Sequence, residues 1–378
     1  VTNEQQAPVQ IGQVLVGKYR VDRVLGVGGM GVVVAATHLQ LDQKVALKFL
    51  LPHALENREA VGRFIREARA AVRLRSEHVA RIIDVGQLET GQPYIVMEYL
   101  QGTELGALLT QHGPLPVPIA VDYVLQACEA IAEAHSLGII HRDLKPANLF
   151  VTRSADGRPL VKVLDFGISK TSGTQADSML TQTTAVMGSP AYMSPEQMRS
   201  SKSVDVRTDI WALGVILFQL VTGHMPFNGE TLTELCLRIA MDPTPAMPPI
   251  PGMPPGFEAV VRHCLEKDAA VRFGSLHELA AALAPFGMPT ARDLADRVAH
   301  VLKQPSGRTS EATMMAQTGP GTLSSAAGQV AAGAGHKRSM LPIVVGGGVA
   351  VVAAVIGIAV ATSGRSPPAP PAPAAVPQ

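Results

Sequence analysis

The sequence predicts an α+β globular unit, then a flexible segment, then one apolar C-terminal helix. Three observations carry that prediction. A glycine-rich bend lies between two strand patterns near the N-terminus. An amphipathic helical pattern follows it. Close to the C-terminus, residues 339–364 hold no charged side chain.

The first element is the stretch GVGGMGVVVAATHLQLDQKVALK, which begins at Gly26. Its glycines at Gly26, Gly28 and Gly31 spell G-x-G-x-x-G. That spacing serves two chemistries. In one, the glycines open a helix whose N-terminal amides hold a dinucleotide pyrophosphate. In the other, they form a flap over the phosphates of ATP. The residues after Gly31 are VVVAATH, and three β-branched residues in a row favour a strand. Upstream, YRVDRVL alternates polar and apolar with period two. The glycines therefore sit at the bend of a β-hairpin, which argues against the dinucleotide reading. The next strand pattern, KVALKFL, supplies a lysine, Lys48, in V-A-L-K. A loop without side chains lets backbone N–H groups approach phosphate oxygens, and a strand ammonium neutralises them.

The helical element lies in ALENREAVGRFIREARAAVRL. Val61, Phe64, Ile65, Ala68, Ala71 and Val72 share one face at helical spacing. Glu67 stands at the edge of that face, and is the acid best placed to turn inward and hold Lys48. A solvated helix glutamate is the plainer explanation, as for Glu56 and Glu59.

The whole chain of 378 residues is long enough for a large two-lobed unit plus a further segment. Lys and Arg number 32 against 31 Asp and Glu, so net charge leaves no footprint for nucleic acid. Cys128, Cys236 and Cys264 are scattered and form no metal-ligand spacing, which predicts three reduced thiols. Val1 to Gln10 is polar, without the basic and apolar stretches of a signal peptide.

Beyond about Gly287, the run GRTSEATMMAQTGPGTLSSAAGQVAAGAG reads as a flexible juxtamembrane linker, residues 289–339. Residues 340–362 are apolar and long enough to cross a bilayer. Lys337 and Arg338 upstream, against Arg365 downstream, place the N-terminal part in the cytoplasm of a single-pass inner-membrane protein. Gly346, Ala350 and Ala354 form a small-residue stripe suited to self-association, although simple Ala/Gly richness explains it as well. Residues 363–378 are a Pro/Ala-rich tail.

Two further motifs carry a family resemblance. HRDLKPANLF, His141 to Phe150, and DFG, Asp165 to Gly167, resemble the catalytic and metal loops of protein kinases. The wording GxGGMGxV, HRDLKPAN and DFGISK resembles bacterial eukaryotic-like (Hanks-type) Ser/Thr kinases, from about Tyr19 to Leu283. The resemblance implies a bilobal protein-kinase fold over residues 19–288. An antiparallel-sheet N-lobe would span 19–97 and a helical C-lobe 98–288, with residues 1–18 as an extension. It also implies ATP and Mg²⁺ in the cleft, Ser/Thr-bearing proteins as substrates, and autophosphorylation.

The same resemblance distributes roles. Leu25, Gly26, Val27, Gly28, Gly29, Met30, Gly31 and Val33 would cover the nucleotide. Lys48, held by Glu67, would meet its phosphates, and backbone groups of Glu98 and Leu100 the adenine edge beside the gatekeeper Met97. Glu104 would reach the ribose. Asp143 would orient the acceptor hydroxyl, Lys145 stabilise γ-phosphate charge, and Asn148 and Asp165 hold Mg²⁺. GSPAYMSPEQ resembles the peptide-binding loop that ends in Ala-Pro-Glu, with Ser194 in place of alanine and Ser189 in place of threonine. This separates the chain from small-molecule kinases of the same fold. A complete residue set gives no support to a pseudokinase scaffold. Glu196 and Arg272 would form a buried pair, and Asp209 would cap the catalytic loop. Arg142 would receive a phosphate from Thr181 or Thr183 in the T-x-T motif.

Overall fold

The computed structural model describes residues 8–28, 31–166, 190–200 and 204–303. The chain divides into two units, Val1–Thr309 and Ser310–Gln378. The second lies outside the described residues, as do the expected apolar span and the tail. Among the described residues no helix is long and apolar enough to cross a membrane.

The small lobe is a six-stranded antiparallel sheet in the order β1-β2-β3-β4-β6-β5. Its strands are β1 Val14–Leu15, β2 Tyr19–Val27, β3 Gly31–His38, β4 Gln43–Leu50, β5 Ile82–Gln87 and β6 Pro93–Glu98. The period-two pattern of β2 and the β-branched run of β3 pair as a hairpin around the glycines. Register shifts between Val21 and Arg23 and between Val24 and Gly26 twist β2 near its tip. A Cβ at Gly31 would stand 2.7 Å from the Phe49 carbonyl oxygen, so only glycine fits there. Val32, Val34, Val45, Leu47, Phe49 and Val96 fill one face of the sheet. The other face, with Leu50 and Ile95, lies under a helix.

Two helices follow β4: α1 Pro52–Leu55 and α2 Arg58–Ala71. Asn57 starts α2 by accepting from the Glu59 and Ala60 N–H groups. Phe64 and Ala68 are buried against the sheet, and Val61 packs beside them. Val72 departs from the expected face: it is 55% exposed, because the helix ends at Ala71 and Val72 is its C-cap.

The large lobe is built on α4 Val117–Ser136 and α6 Arg207–Thr222, both apolar nearly all round and buried nearly all round. Around them lie α3 Leu105–His112, α5 Pro195–Arg199, α7 Leu232–Met241, α8 Phe257–Cys264 and α9 Leu276–Leu283. A small sheet of β7 Thr103–Glu104, β8 Leu149–Arg153 and β9 Pro159–Val163 faces the small lobe. The three cysteines are free, and burial pushes the Cys128 thiol up to about 12.

The N-terminal extension of residues 1–18 packs on the small lobe: Val9 and Leu15 are buried, and β1 pairs with β2. One expected edge needs correction: Ala291–Lys303, inside the flexible linker expected over 289–339, forms a further helix, α10. Ala291, Leu294, Ala295 and Val298 recur at helical spacing and join the large-lobe core. The Gly/Ala/Ser/Thr-rich composition downstream had masked that short periodic stretch. Residues 304–339 lie outside the described residues.

Candidate active site

The two lobes enclose a cavity of about 620 Å³. Leu25, Gly26, Val33 and Ala46 line it from the small lobe, and Met97, Glu98 and Leu100 from the segment joining the lobes. Phe150, Leu164 and Asp165 line it from the large lobe. Lys48 and Glu67 also reach it, and Glu104 stands on its lining. Val27, Gly28 and Gly31 complete the hairpin without touching this cavity, and the Gly28 N–H donates to the Gly31 carbonyl at 2.8 Å. Gly29 and Met30 lie outside the described residues.

Lys48 sits mid-strand, paired across β4 with Val33 on one side and Ile95 on the other. Its Nζ donates to Asp165 Oδ1 at 2.6 Å. Burial pulls the ammonium down, but Asp165, then Glu67 and Asp143, outweigh it and hold its pKa above the ordinary lysine value. Glu67 thus acts on Lys48 electrostatically from α2.

The catalytic-loop residues cluster below. Lys145 Nζ lies 3.2 Å from Asp143 Oδ2. Asn148, in a short 3₁₀ turn, donates from Nδ2 to the Asp143 carbonyl at 2.7 Å. That bond turns the amide so that Oδ1 remains as its oxygen ligand atom. An amide oxygen and a carboxylate that is 49% exposed form a hard, two-residue donor set, which suits an ion completed by phosphate and water. Among the described residues no group of three or more His, Cys, Asp or Glu forms a protein-only metal cage.

Asp209 holds this loop from inside α6. Its carboxylate accepts from the His141 N–H at 2.9 Å, the Arg142 N–H at 2.8 Å and His135 Nε2 at 2.8 Å. Burial alone would raise its pKa, yet the bonds from His135 and Arg142 hold it below the usual carboxylate range. Arg142 and Asp165 both carry positive φ, 64° and 45°. Such backbone costs about 1–3 kcal/mol per residue and persists where neighbours fix it. Asp209 fixes Arg142, and Lys48 bonds Asp165.

The Arg142 side chain is half-buried, and its Nη1 is buried with no hydrogen-bond partner among the described residues. Arg272 grips Glu196 with two bonds, Nη1 to Oε1 at 2.7 Å and Nη2 to Oε2 at 2.8 Å. Ser194, fully buried, caps α5 by accepting from the Gln197 N–H and bonds Thr208 Oγ1 at 2.6 Å. Its hydroxyl therefore has work that alanine would not do. Thr181, Thr183, Ser189 and Gly167 lie outside the described residues.

A family model described as a protein kinase domain matches residues 19–283, more than half of the chain. The chain belongs to the protein kinase family. Among curated relatives, this kinase is 40% identical over 278 residues to "Serine/threonine-protein kinase pkn3" of Myxococcus xanthus, covering 72% of this chain and 50% of that protein. It is 37% identical to a "Probable serine/threonine-protein kinase PknB" of Corynebacterium glutamicum, with coverages of 71% and 42%. The chain thus spans about half the length of the curated relatives it matches or less. The crystal structure of the Mycobacterium tuberculosis PknI kinase domain superposes with a TM-score of 0.56 at 27% identity, covering 74% of this chain and 99% of that one.

Some residues of the kinase site escaped the sequence reading. His141 accepts from the Asp143 N–H at Nδ1 and meets the Leu164 carbonyl at 3.1 Å from Nε2, so its proton sits on Nε2. Its ring packs against Phe166 with centroids 4.9 Å apart, joining the two loops. Burial lowers its pKa despite nearby Asp209 and Asp143, which keeps it neutral for this double role. Gln197 donates to the Arg142 carbonyl at 2.8 Å. The HRD and DFG words contained His141 and Phe166, but only the fold brings them together.

Proposed function

We propose that this kinase transfers the γ-phosphate of ATP to Ser/Thr hydroxyls of proteins, and that Asn148 and Asp165 hold Mg²⁺. The observation that carries the reading is that Lys48 and Asp165 line the inter-lobe cavity together, while Asp143, Lys145 and Asn148 cluster beside them, Asp143 near enough to act on the Lys48 charge and Asn148 bonded through its carbonyl to the Leu164 N–H. When bound, Mg-ATP supplies the phosphoryl group and the metal neutralises its charge. Asp143 orients the acceptor hydroxyl and takes its proton. Lys145, already beside Asp143, stabilises charge on the transferring group. Lys48 binds the α and β phosphates while Glu67 supports its charge. The Glu98 and Leu100 backbone reads the adenine edge. Little covalent work falls to the protein, so placement and charge account for most of the rate. The names of the bacterial relatives and the HRDLKPAN wording support Ser/Thr as acceptor.

The test is transfer of labelled γ-phosphate to a generic basic protein. The wild-type chain should label it in the presence of Mg²⁺ and lose the activity in EDTA. Asp143→Asn should lose it outright. Equal labelling by wild type and Asp143→Asn would remove the assignment.

Regulation belongs to the same reading. The Arg142 Nη1, without a hydrogen-bond partner among the described residues, supports a docking role toward phosphate on Thr181 or Thr183. Mass spectrometry should find these phosphates in the active chain and not in Asp143→Asn. A Thr181→Ala/Thr183→Ala variant with undiminished initial rates on an external substrate would sink the switch.

We propose further that residues 340–362 anchor the chain in the inner membrane with the kinase unit in the cytoplasm. Their uncharged apolar composition supports this. The full-length chain should stay with the membrane pellet through carbonate extraction; its release would overturn the anchor.

A further inference from the structure

We infer that Lys162 is a positioning residue for the nucleotide, acting through the Glu98 side chain; the inference rests on the ATP reading of the cavity. Lys162 lies on β9, three residues before Asp165, and its side chain is only 11% exposed. An ammonium in such a place carries a desolvation cost that a leucine would avoid. Its neighbours Val161 and Val163 are fully buried and apolar. Lys162 instead spans the lobes: Nζ donates to Glu98 Oε1 at 2.7 Å. Glu98 is the last residue of β6, at the start of the segment that crosses to the large lobe.

The same carboxylate oxygen accepts from the Arg81 N–H at 2.7 Å, and the Glu98 N–H donates to the Arg81 carbonyl at 2.9 Å. Beside this lies a main-chain junction. Val79 and Val163 form an isolated parallel bridge, the Val163 N–H donates to the His78 carbonyl at 2.7 Å, and the Ala80 N–H to the Val163 carbonyl at 3.1 Å. Three segments therefore meet at one point. They are the loop after α2, the lobe-crossing segment, and the strand that leads into Asp165. Lys162 is the charged side-chain tie among them. Across the small sheet it pairs with Phe150, which lines the cavity.

The geometry separates what this tie controls from what it does not. Asp165 is also held by Lys48, and the neighbouring Leu164 carbonyl by His141, so the reacting end keeps its place without Lys162. Glu98 keeps both of its bonds to Arg81, one at its carboxylate and one from its own N–H, so the strand end and the fold survive. What loosens is the position of the Glu98–Leu100 backbone relative to Asp165. That backbone contacts adenine alike in ground and transition states, so its loss raises KM and leaves kcat.

The experiment measures ATP KM, kcat and the calorimetric Kd for Mg-ATP in the full chain carrying Lys162→Met, Lys162→Gln or Lys162→Arg. Met and Gln should raise KM and Kd about tenfold with kcat within roughly twofold of wild type, and Arg should restore both. A folded Met or Gln variant with unchanged Kd overturns the proposal, as does a fall in kcat at unchanged KM. If neither Met nor Gln variant folds, Lys162 serves the fold rather than nucleotide placement, and the proposal falls. A wild type that binds Mg-ATP without transferring phosphate would refute the proposed function instead, while the Kd series would still decide the role of Lys162.

Discussion

Replacing Lys48 with methionine should leave a folded protein whose phosphate transfer is slower by a factor on the order of 10²–10³ at saturating ATP. The ammonium is the cation that β4 presents to the cavity, and among the described residues no other basic side chain bonds Asp165. Folding survives because Asp165, the abandoned partner, is 49% exposed and water can take the lysine's place. Initial rates on a basic protein, beside a thermal melt of the same sample, check both halves. Near-normal turnover would remove Lys48 from the site.

Asp209→Asn should act through stability. The carboxylate is fully buried and meets three donors, two of them the N–H groups of His141 and Arg142. An amide offers one acceptor oxygen and turns its own NH₂ toward the remaining donors. Removing one side of such a buried charged network costs about 3–5 kcal/mol, which lowers the melting temperature by about 5–8 °C in a domain of this size. The sign of the pH dependence follows from the depressed folded-state pKa of Asp209. Its stabilisation is fully present above the ordinary carboxylate value of 3.8 and is lost as pH falls through the lower folded value. The gap between wild-type and variant melts should therefore be widest near neutrality and close in acid. Equal melting temperatures at pH 7 would show that the loop does not depend on this carboxylate.

The parts of the site that could be read in the sequence are those written as contiguous words. Asp143, Lys145 and Asn148 fall within eight letters, and Lys48 announces itself by the strand around it and the glycines before it. Glu67 needed helical periodicity together with the lysine motif before it. Lys162 gave no comparable signal. In PLVKV it reads as the polar member of an ordinary alternation, and its partner Glu98 lies 64 residues away. The proton placement on His141 likewise depends on Leu164, a contact between loops that only the folded lobe creates. Glu196 and Arg272 were legible despite their separation because each sits in a recognisable motif. The helix α10 was missed for the opposite reason: its apolar positions are regular, but they lie outside any such motif and beside a long stretch of small residues.

That helix also governs where the chain can be cut. The family match stops at Leu283, and a fragment ending there would discard Ala291, Leu294, Ala295 and Val298. Each buried leucine or valine contributes about 1.5–3 kcal/mol, and the strip of α4 it covered would meet solvent. Gly287 shows how closely the returning chain lies: a Cβ there would stand 2.5 Å from the Ala291 Cβ and 3.1 Å from Val121 Cγ1. Arg297 on α10 then closes on Glu129 of α4 at 2.7 Å. A fragment carried through Lys303 keeps this apolar seam covered, whereas one trimmed to the family boundary presents it as an adhesive surface to its neighbours in solution.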